Sequence, residues 1–183
     1  MQDSLSYWAA AYARYKHAAL CIDIETVRFN GPVSVVGTYR PADGLVEYVP
    51  FIRGQNLTPE NLRDAFSGVR MLVTYNGLCF DVPKIRKDFP GVLPDDVVVF
   101  DLYRFALKLD INTNLKVLEN TFGVDRTNLL TQKRGIANKL WRQYEERGNA
   151  EALRQLLDYN KDDTINLYPL AEKLVSIAKD KIS

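Results

Sequence analysis

Residues 18–26, Ala-Ala-Leu-Cys-Ile-Asp-Ile-Glu-Thr, are apolar for five positions and then alternate apolar with acidic. Such a run reads as a strand in the middle of a sheet, and the rest of the chain must be arranged around it. In a strand, residues i and i+2 share a face, so Asp23 and Glu25 lie side by side while Ile22 and Ile24 face the opposite layer. Two carboxylates so placed repel each other and lose hydration, and one takes up a proton unless a cation is present. A solvated strand end would also accommodate the pair, and the spacing alone leaves both readings open.

The neighbouring segments supply the other strands. Val33 to Tyr39 and Leu45 to Ile52 are strand-like, and Pro41-Ala42-Asp43-Gly44 between them carries turn chemistry. Together with residues 18–26 they predict an antiparallel three-strand meander. Thr58-Pro59-Glu60-Asn61 opens a helix with a capping threonine and an early proline. Met71 to Tyr75 and Val97 to Phe100 follow as two more strands with helical patterns between and after them. From Asn114 onward only helices are expected: Leu115 to Phe122, about Gln132 to Arg147, and a long one from about Ala150 to Ala178, capped by Asn149 and kinked or broken at Pro169. At the other end, Tyr7, Trp8, Ala11, Tyr12 and Tyr15 have roughly the spacing of an amphipathic helix packed on the domain. This order predicts an α/β fold with a mixed five-stranded sheet, a meander plus two parallel strands, flanked by helices. With 183 residues, 46% of them hydrophobic, and no repeat or linker, one domain over residues 1–183 is expected, residues 1–17 being an N-terminal helical extension.

No apolar run approaches the roughly 18 residues that span a membrane, and the N-terminal stretch carries Arg14 and several tyrosines where a signal peptide would be apolar. A cytoplasmic protein with no membrane partner is expected. Cys21 and Cys79 lack CxxC spacing and have one histidine for company, which excludes a disulfide framework or a zinc site and leaves two reduced core residues as the expectation. The 24 basic and 23 acidic side chains leave a net charge of +1, too little to collect nucleic acid nonspecifically. Bound cations would reverse the sign of an acidic cleft locally, so the charge count does not exclude a nucleic-acid substrate.

Two further acidic segments bear on Asp23 and Glu25. In Asn76-Gly77-Leu78-Cys79-Phe80-Asp81 a tight turn ends a strand and Asp81 precedes a helix. Asp81 is either a helix cap or an acid placed at the end of the strand next to the one bearing Asp23. In Tyr159-Asn160-Lys161-Asp162-Asp163, Tyr159 and Asp163 are four residues apart and share a helix face. Leu153, Leu156, Leu157, Ile165, Leu167 and Leu170 direct that helix onto the sheet, where an acid needs a partner. The alternative is that Asp163 joins Asp158 and Asp162 on a solvated face. Asp101, after Val97-Val98-Val99-Phe100, is read as a helix cap.

In this order the three segments resemble the DEDD 3′-to-5′ exonucleases of the ribonuclease H-like superfamily: Asp23-Ile24-Glu25-Thr26 looks like the first motif, Asn76 to Asp81 the second, Tyr159 to Asp163 the third. Tyrosine four residues before the last aspartate marks the DEDDy branch; the other branch would have histidine where Asp158 stands, and the lone histidine is His17. The nearest resemblance is to YprB-like domains, which share the Tyr-Asn-x-x-Asp-x-x-Asn-Leu ending of Tyr159 to Leu167 and the Leu140-Trp141-Arg142-Gln143-Tyr144 stretch. It runs from about Ala18 to Leu174.

The resemblance implies two divalent cations, Mg2+ or Mn2+, which prefer oxygen ligands and when about 4 Å apart stabilise both attacking and leaving oxygens. Asp23, Glu25, Asp81 and Asp163 would be the ligands: Asp23 bridging, Glu25 and Asp163 on the ion that activates water, Asp81 supporting the other largely through water. Tyr159 would orient the attacking water, its phenol being a poor base at neutral pH. Thr26 through its backbone and Asn76 are expected at the terminal nucleotide, and Phe80 or Tyr103 under a base. Lys133, Arg134, Lys139 and Arg142 are either phosphate contacts or a solvated helix face. The expected reaction is hydrolysis at the 3′ end of single-stranded DNA or RNA, with DNA slightly preferred. The alternatives are a ribonuclease H-like endonuclease and a non-catalytic nucleic-acid-binding or scaffold module of the same fold. No motif reads the 2′-hydroxyl or names a protein partner.

Overall fold

The structure is a computed structural model that describes residues 4–28, 31–42, 45–127 and 135–182. Five strands, β1 (Ala19–Thr26), β2 (Val33–Ala42), β3 (Leu45–Ile52), β4 (Met71–Thr74) and β5 (Val98–Asp101), form one sheet in the order β3-β2-β1-β4-β5. β2 pairs antiparallel with both β1 and β3, and β4 and β5 run parallel to β1. This is the mixed sheet that the order of strand-like segments predicts. Pro41 and Ala42 extend β2 rather than forming a turn, while Asp43 and Gly44 lie outside the described residues.

β1 is central because helices cover both of its faces, and its first four side chains are all buried. On one face Leu20, Ile22 and Ile24 pack with Leu62 and Phe66 of α2 (Pro59–Phe66) and Val82 and Ile85 of α3 (Asp81–Asp88). Thr58 caps α2 by accepting from the Asn61 N–H. On the opposite face Cys21 meets a larger core from α1 (Leu5–Tyr15), α4 (Leu102–Lys108), α5 (Leu115–Thr121) and α8 (Leu167–Ile182). Within α1, Trp8 stacks on Phe100 and the Tyr12 hydroxyl donates to Glu172 of α8 at 2.9 Å. Tyr7, expected on the packed face, is exposed on the opposite side.

A third core lies over β2 and β3, where Val35 and Ile52 meet Leu140 and Trp141 of α6 (Ile136–Arg147) and Leu156 of α7 (Ala150–Ile165). α6 begins after Gly135, whose φ of 81° is left-handed, and the expected start at about Gln132 lies outside the described residues. Lys133 and Arg134 lie outside the described residues. The long terminal helix is two helices: Pro169, at the third position of α8, has no N–H for the Ile165 carbonyl, and α7 ends there with Asn166 between the two helices. No helix among the described residues is long and apolar enough to cross a membrane.

Candidate metal centre

The site lies where β1 outlasts β4. Parallel pairing joins Ala19–Cys21 to Met71–Val73 and stops there, so the β4 edge of β1 opens beyond Cys21. After β4 the chain turns through Asn76 at φ 59°, and Gly77 sits where a β-carbon would collide with the Thr74 side chain. Asp101 is buried and holds this turn, its carboxylate accepting from Asn76 N (2.9 Å) and Leu78 N (3.1 Å) while also capping α4 through Tyr103 N and Arg104 N. The cap reading of Asp101 thus describes half of its bonds. Asp81 is the first residue of α3, the cap position being occupied by Phe80. Its Oδ1 crosses to β1 and accepts from the Ile24 N–H at 3.0 Å, a donor that β4 is too short to reach.

α7 brings the remaining groups. Asn160, fully buried, donates to Asp23 Oδ2 at 2.7 Å and accepts from the Tyr48 hydroxyl at 2.7 Å. Gly37 on β2 makes this approach possible, because a β-carbon there would collide with Asn160 and Thr164. One helical turn along, Asp163 meets the two β1 acids. Oxygens of Asp23, Glu25 and Asp163 lie within 4.8 Å of one another. Asp81 stands outside that group, and its charge still raises the pKa values of Asp23 and Glu25. Thr26, Asn76, Phe80 and Asp81 line the same cleft of about 510 Å³ as Asp23 and Glu25. The Thr26 side chain is buried, Asn76 is exposed, and Phe80 is half-buried with part of its ring on the core. Tyr103 packs at a tilt against Tyr75, with ring centroids 5.6 Å apart, and lies outside the cleft lining.

Burial raises the pKa of Asp23, Glu25, Asp81 and Asp163. Glu25 is pushed up to about 8 by desolvation and then by Asp163 and Asp81, with Lys116 opposing. Asp23 is raised well above the carboxylate range by desolvation, Asp163, Asp81 and Glu25, against the Asn160 hydrogen bond. Asp81 reaches about 7 through desolvation, moderated by the Ile24 N–H. For Asp163 desolvation exceeds the opposing pull of Arg126, Lys116 and the Tyr159 phenol. Three crowded carboxylates with raised pKa values, and no nitrogen or sulfur donor in the group, fit a hard divalent cation. The cluster can bind a metal ion.

Several residues that hold this cluster carry no signal at the level of short motifs. Arg126 donates to Asp163 Oδ1 and to both oxygens of Glu119 at 2.9 and 2.7 Å. Glu119 has no exposed surface and accepts a further bond from Asn166. Asp162, placed on a solvated face by the sequence alternative, is buried and accepts from Thr127. Lys116 and Arg126 lie over the Tyr159 ring at 4.6 and 5.7 Å. Asn160 and Asn166 do stand inside the Tyr-Asn-x-x-Asp-x-x-Asn-Leu ending, which was the available hint.

Solved structures similar to the chain include the EXD2 exonuclease domain soaked in Mn and GMP, at 19% identity over 96% of this chain and 86% of that one, with a TM-score of 0.33. The same domain soaked in Mn and Mg matches at 16% identity over 93% and 92%, also with a TM-score of 0.33. No curated protein matches the chain. The family described as the RNase H superfamily matches residues 20–175, from the second residue of β1 to the middle of α8 and so across the whole sheet and all three acidic segments. The chain therefore belongs to the RNase H superfamily.

Proposed function

We propose that this protein is a metal-dependent 3′-to-5′ exonuclease of the DEDDy type, hydrolysing phosphodiester bonds at the 3′ end of single-stranded nucleic acid. The observation that carries the reading is the convergence of Asp23, Glu25 and Asp163 within 4.8 Å, with Tyr159 on the same face of α7 as Asp163. Asp23, Glu25 and Asp163 would hold the metal directly, with Asp81 adding charge from the first turn of α3. Two divalent ions, when bound, supply Lewis-acid polarisation of the phosphate and a water of lowered pKa.

Tyr159 contributes as a donor. Burial and the neighbouring acids raise its phenol above its ordinary value, so at neutral pH it stays protonated and orients an attacking water rather than deprotonating it. Lys116 and Arg126 fix its ring from outside. In the cleft, the Thr26 backbone and Asn76 would meet the terminal nucleotide, and the Phe80 ring would offer a stacking surface.

The test is a time course on 5′-labelled single-stranded DNA and RNA oligonucleotides with Mn2+, Mg2+ or chelator, alongside Asp23→Ala. A metal-dependent ladder shortening from the 3′ end, absent in the variant, is the expected result. Internal cuts would replace the reading with an endonuclease, and intact substrate in every metal would replace it with a binding module.

A further inference from the structure

Beside the metal cleft runs a second groove of about 530 Å³, lined by Val27 and Arg28 just after β1 and by one face of α6. Thr26 lines the cleft and Val27 the groove, and Asn138 lines both, so the two are continuous. The α6 face follows helical spacing: Asn138 and Lys139 next to the cleft, Arg142 one turn on, and Glu145 and Glu146 a further turn away.

Three cations, Arg28, Lys139 and Arg142, are exposed in this groove, and none makes an ion pair with a described residue. Arg154 pairs with Glu151 and Asp158, and Arg70 with Asp96, while Arg86 and Arg147 are exposed without an ion pair to a described residue but stand apart from the groove. The Asn138 amide oxygen, at the junction with the cleft, has no hydrogen-bond partner among the described residues. A row of unpaired positive charge leading away from an acidic, metal-binding cleft suits a polyanion whose end reaches the cleft. The acids at the far end of α6 would repel that polyanion and limit its track to about two helical turns.

We infer that the groove of Arg28, Lys139 and Arg142 holds the backbone phosphates of a single nucleic-acid strand 5′ of the nucleotide being removed. The inference rests on the exonuclease reading and extends it to the path of the substrate. The contacts are to phosphate and carry no base preference, so they act alike on DNA and RNA. Short substrates that end within the cleft do not use them.

The experiment compares wild type with an Arg28→Gln/Lys139→Gln/Arg142→Gln variant. All three side chains are exposed and without an ion pair among the described residues, so the fold is expected to be retained. Binding of 5′-fluorescein dT12 is followed by anisotropy across a salt titration, and hydrolysis of the p-nitrophenyl ester of thymidine 5′-monophosphate is followed with Mn2+. The variant is expected to bind dT12 at least tenfold more weakly at low salt. Its log-affinity against log-salt slope should be shallower by about 2, since each phosphate contact to a single strand contributes about 0.7. Hydrolysis of the small ester should be unchanged, and Glu145→Gln/Glu146→Gln should tighten dT12 binding. Equal binding by wild type and triple variant, or no binding by either, would overturn the groove, as would a parallel loss of ester hydrolysis. Binding that the triple variant loses, in a wild type that cleaves nothing, would keep the groove and discard the exonuclease.

Discussion

At Gly37 a side chain of any size would meet Asn160 and Thr164, so one missing β-carbon on β2 sets how closely α7 approaches β1. Asn160 depends on that approach for its bond to Asp23, and Asp163 follows on the next turn. Gly37→Ala should therefore cost about 2 kcal/mol as overpacking, lowering Tm by roughly 4–8 °C, and weaken Mn2+ binding by lifting Asp163 from Asp23. Thermal melts and Mn2+ titration read both effects, and an unchanged Mn2+ affinity would detach α7 position from the metal centre. Arg126 is the second decisive residue. Its removal leaves the fully buried Glu119 without a counter-charge and frees Asp163, so Arg126→Met should destabilise by about 3–5 kcal/mol. Glu119→Leu/Arg126→Met should cost less than the sum of the single changes, measured as a double-mutant cycle in urea. Neither residue is legible in the sequence. Gly37 stands among Val35, Val36 and Thr38 as an ordinary strand position, and Glu119 and Arg126 lie 44 and 37 residues before Asp163, where no helical or strand period links them.

Helix α7 shows what local pattern does transmit. Tyr159 and Asp163 at i and i+4 had to share a face, and the leucines around them pointed that face to the sheet; the spacing also allowed a solvated face with Asp158 and Asp162, and in the structure Asp163 is buried. The strand pattern of residues 18–26 was equally legible, since five apolar residues followed by alternation describes a strand buried first on both faces and then opening. Pro169 marked the α7–α8 break for a covalent reason, although the break falls three residues earlier, at Asn166, next to the Ile165 carbonyl to which its ring cannot donate. The face of α7 was readable, but its contacts were not, because Asp162 and Asn166 find Thr127 and Glu119 only through the tertiary path of the chain. On this helix Tyr159→Phe separates position from chemistry. The ring keeps its place between Lys116 and Arg126, while the hydroxyl that would orient water is lost. We expect kcat to fall by about 100-fold or more with Mn2+ affinity unchanged. An unchanged kcat would remove the phenol from the reaction.

For the molecule as a whole, the acidic cluster is a strain that folding must carry when no cation is bound. Glu25 moves from an ordinary 4.5 in the unfolded chain to about 8 in the fold, and Asp81 from 3.8 to about 7, with Asp23 and Asp163 raised in the same sense. Between the unfolded and folded values the native state binds more protons than the unfolded one, so stability is present below about pH 4 and is lost as pH rises toward 8. The metal-free protein should accordingly melt at a higher temperature at pH 5.5 than at pH 8.5. Glu25→Gln removes one of the shifted groups and should flatten that dependence. Divalent cations act in the opposite direction, because only ionised carboxylates are good ligands, and the gain in Tm on adding Mn2+ should be larger at pH 8.5 than at pH 5.5. Melting curves in chelator and in Mn2+ at the two pH values test both arms. A metal-free Tm that rises with pH would mean that the carboxylates are not crowded in solution, and an Mn2+ gain independent of pH would mean that the ion binds elsewhere. If both arms hold, the sheet, α3 and α7 together maintain a site whose acids are held close against their own repulsion, and the cation that relieves it is the one the proposed chemistry requires.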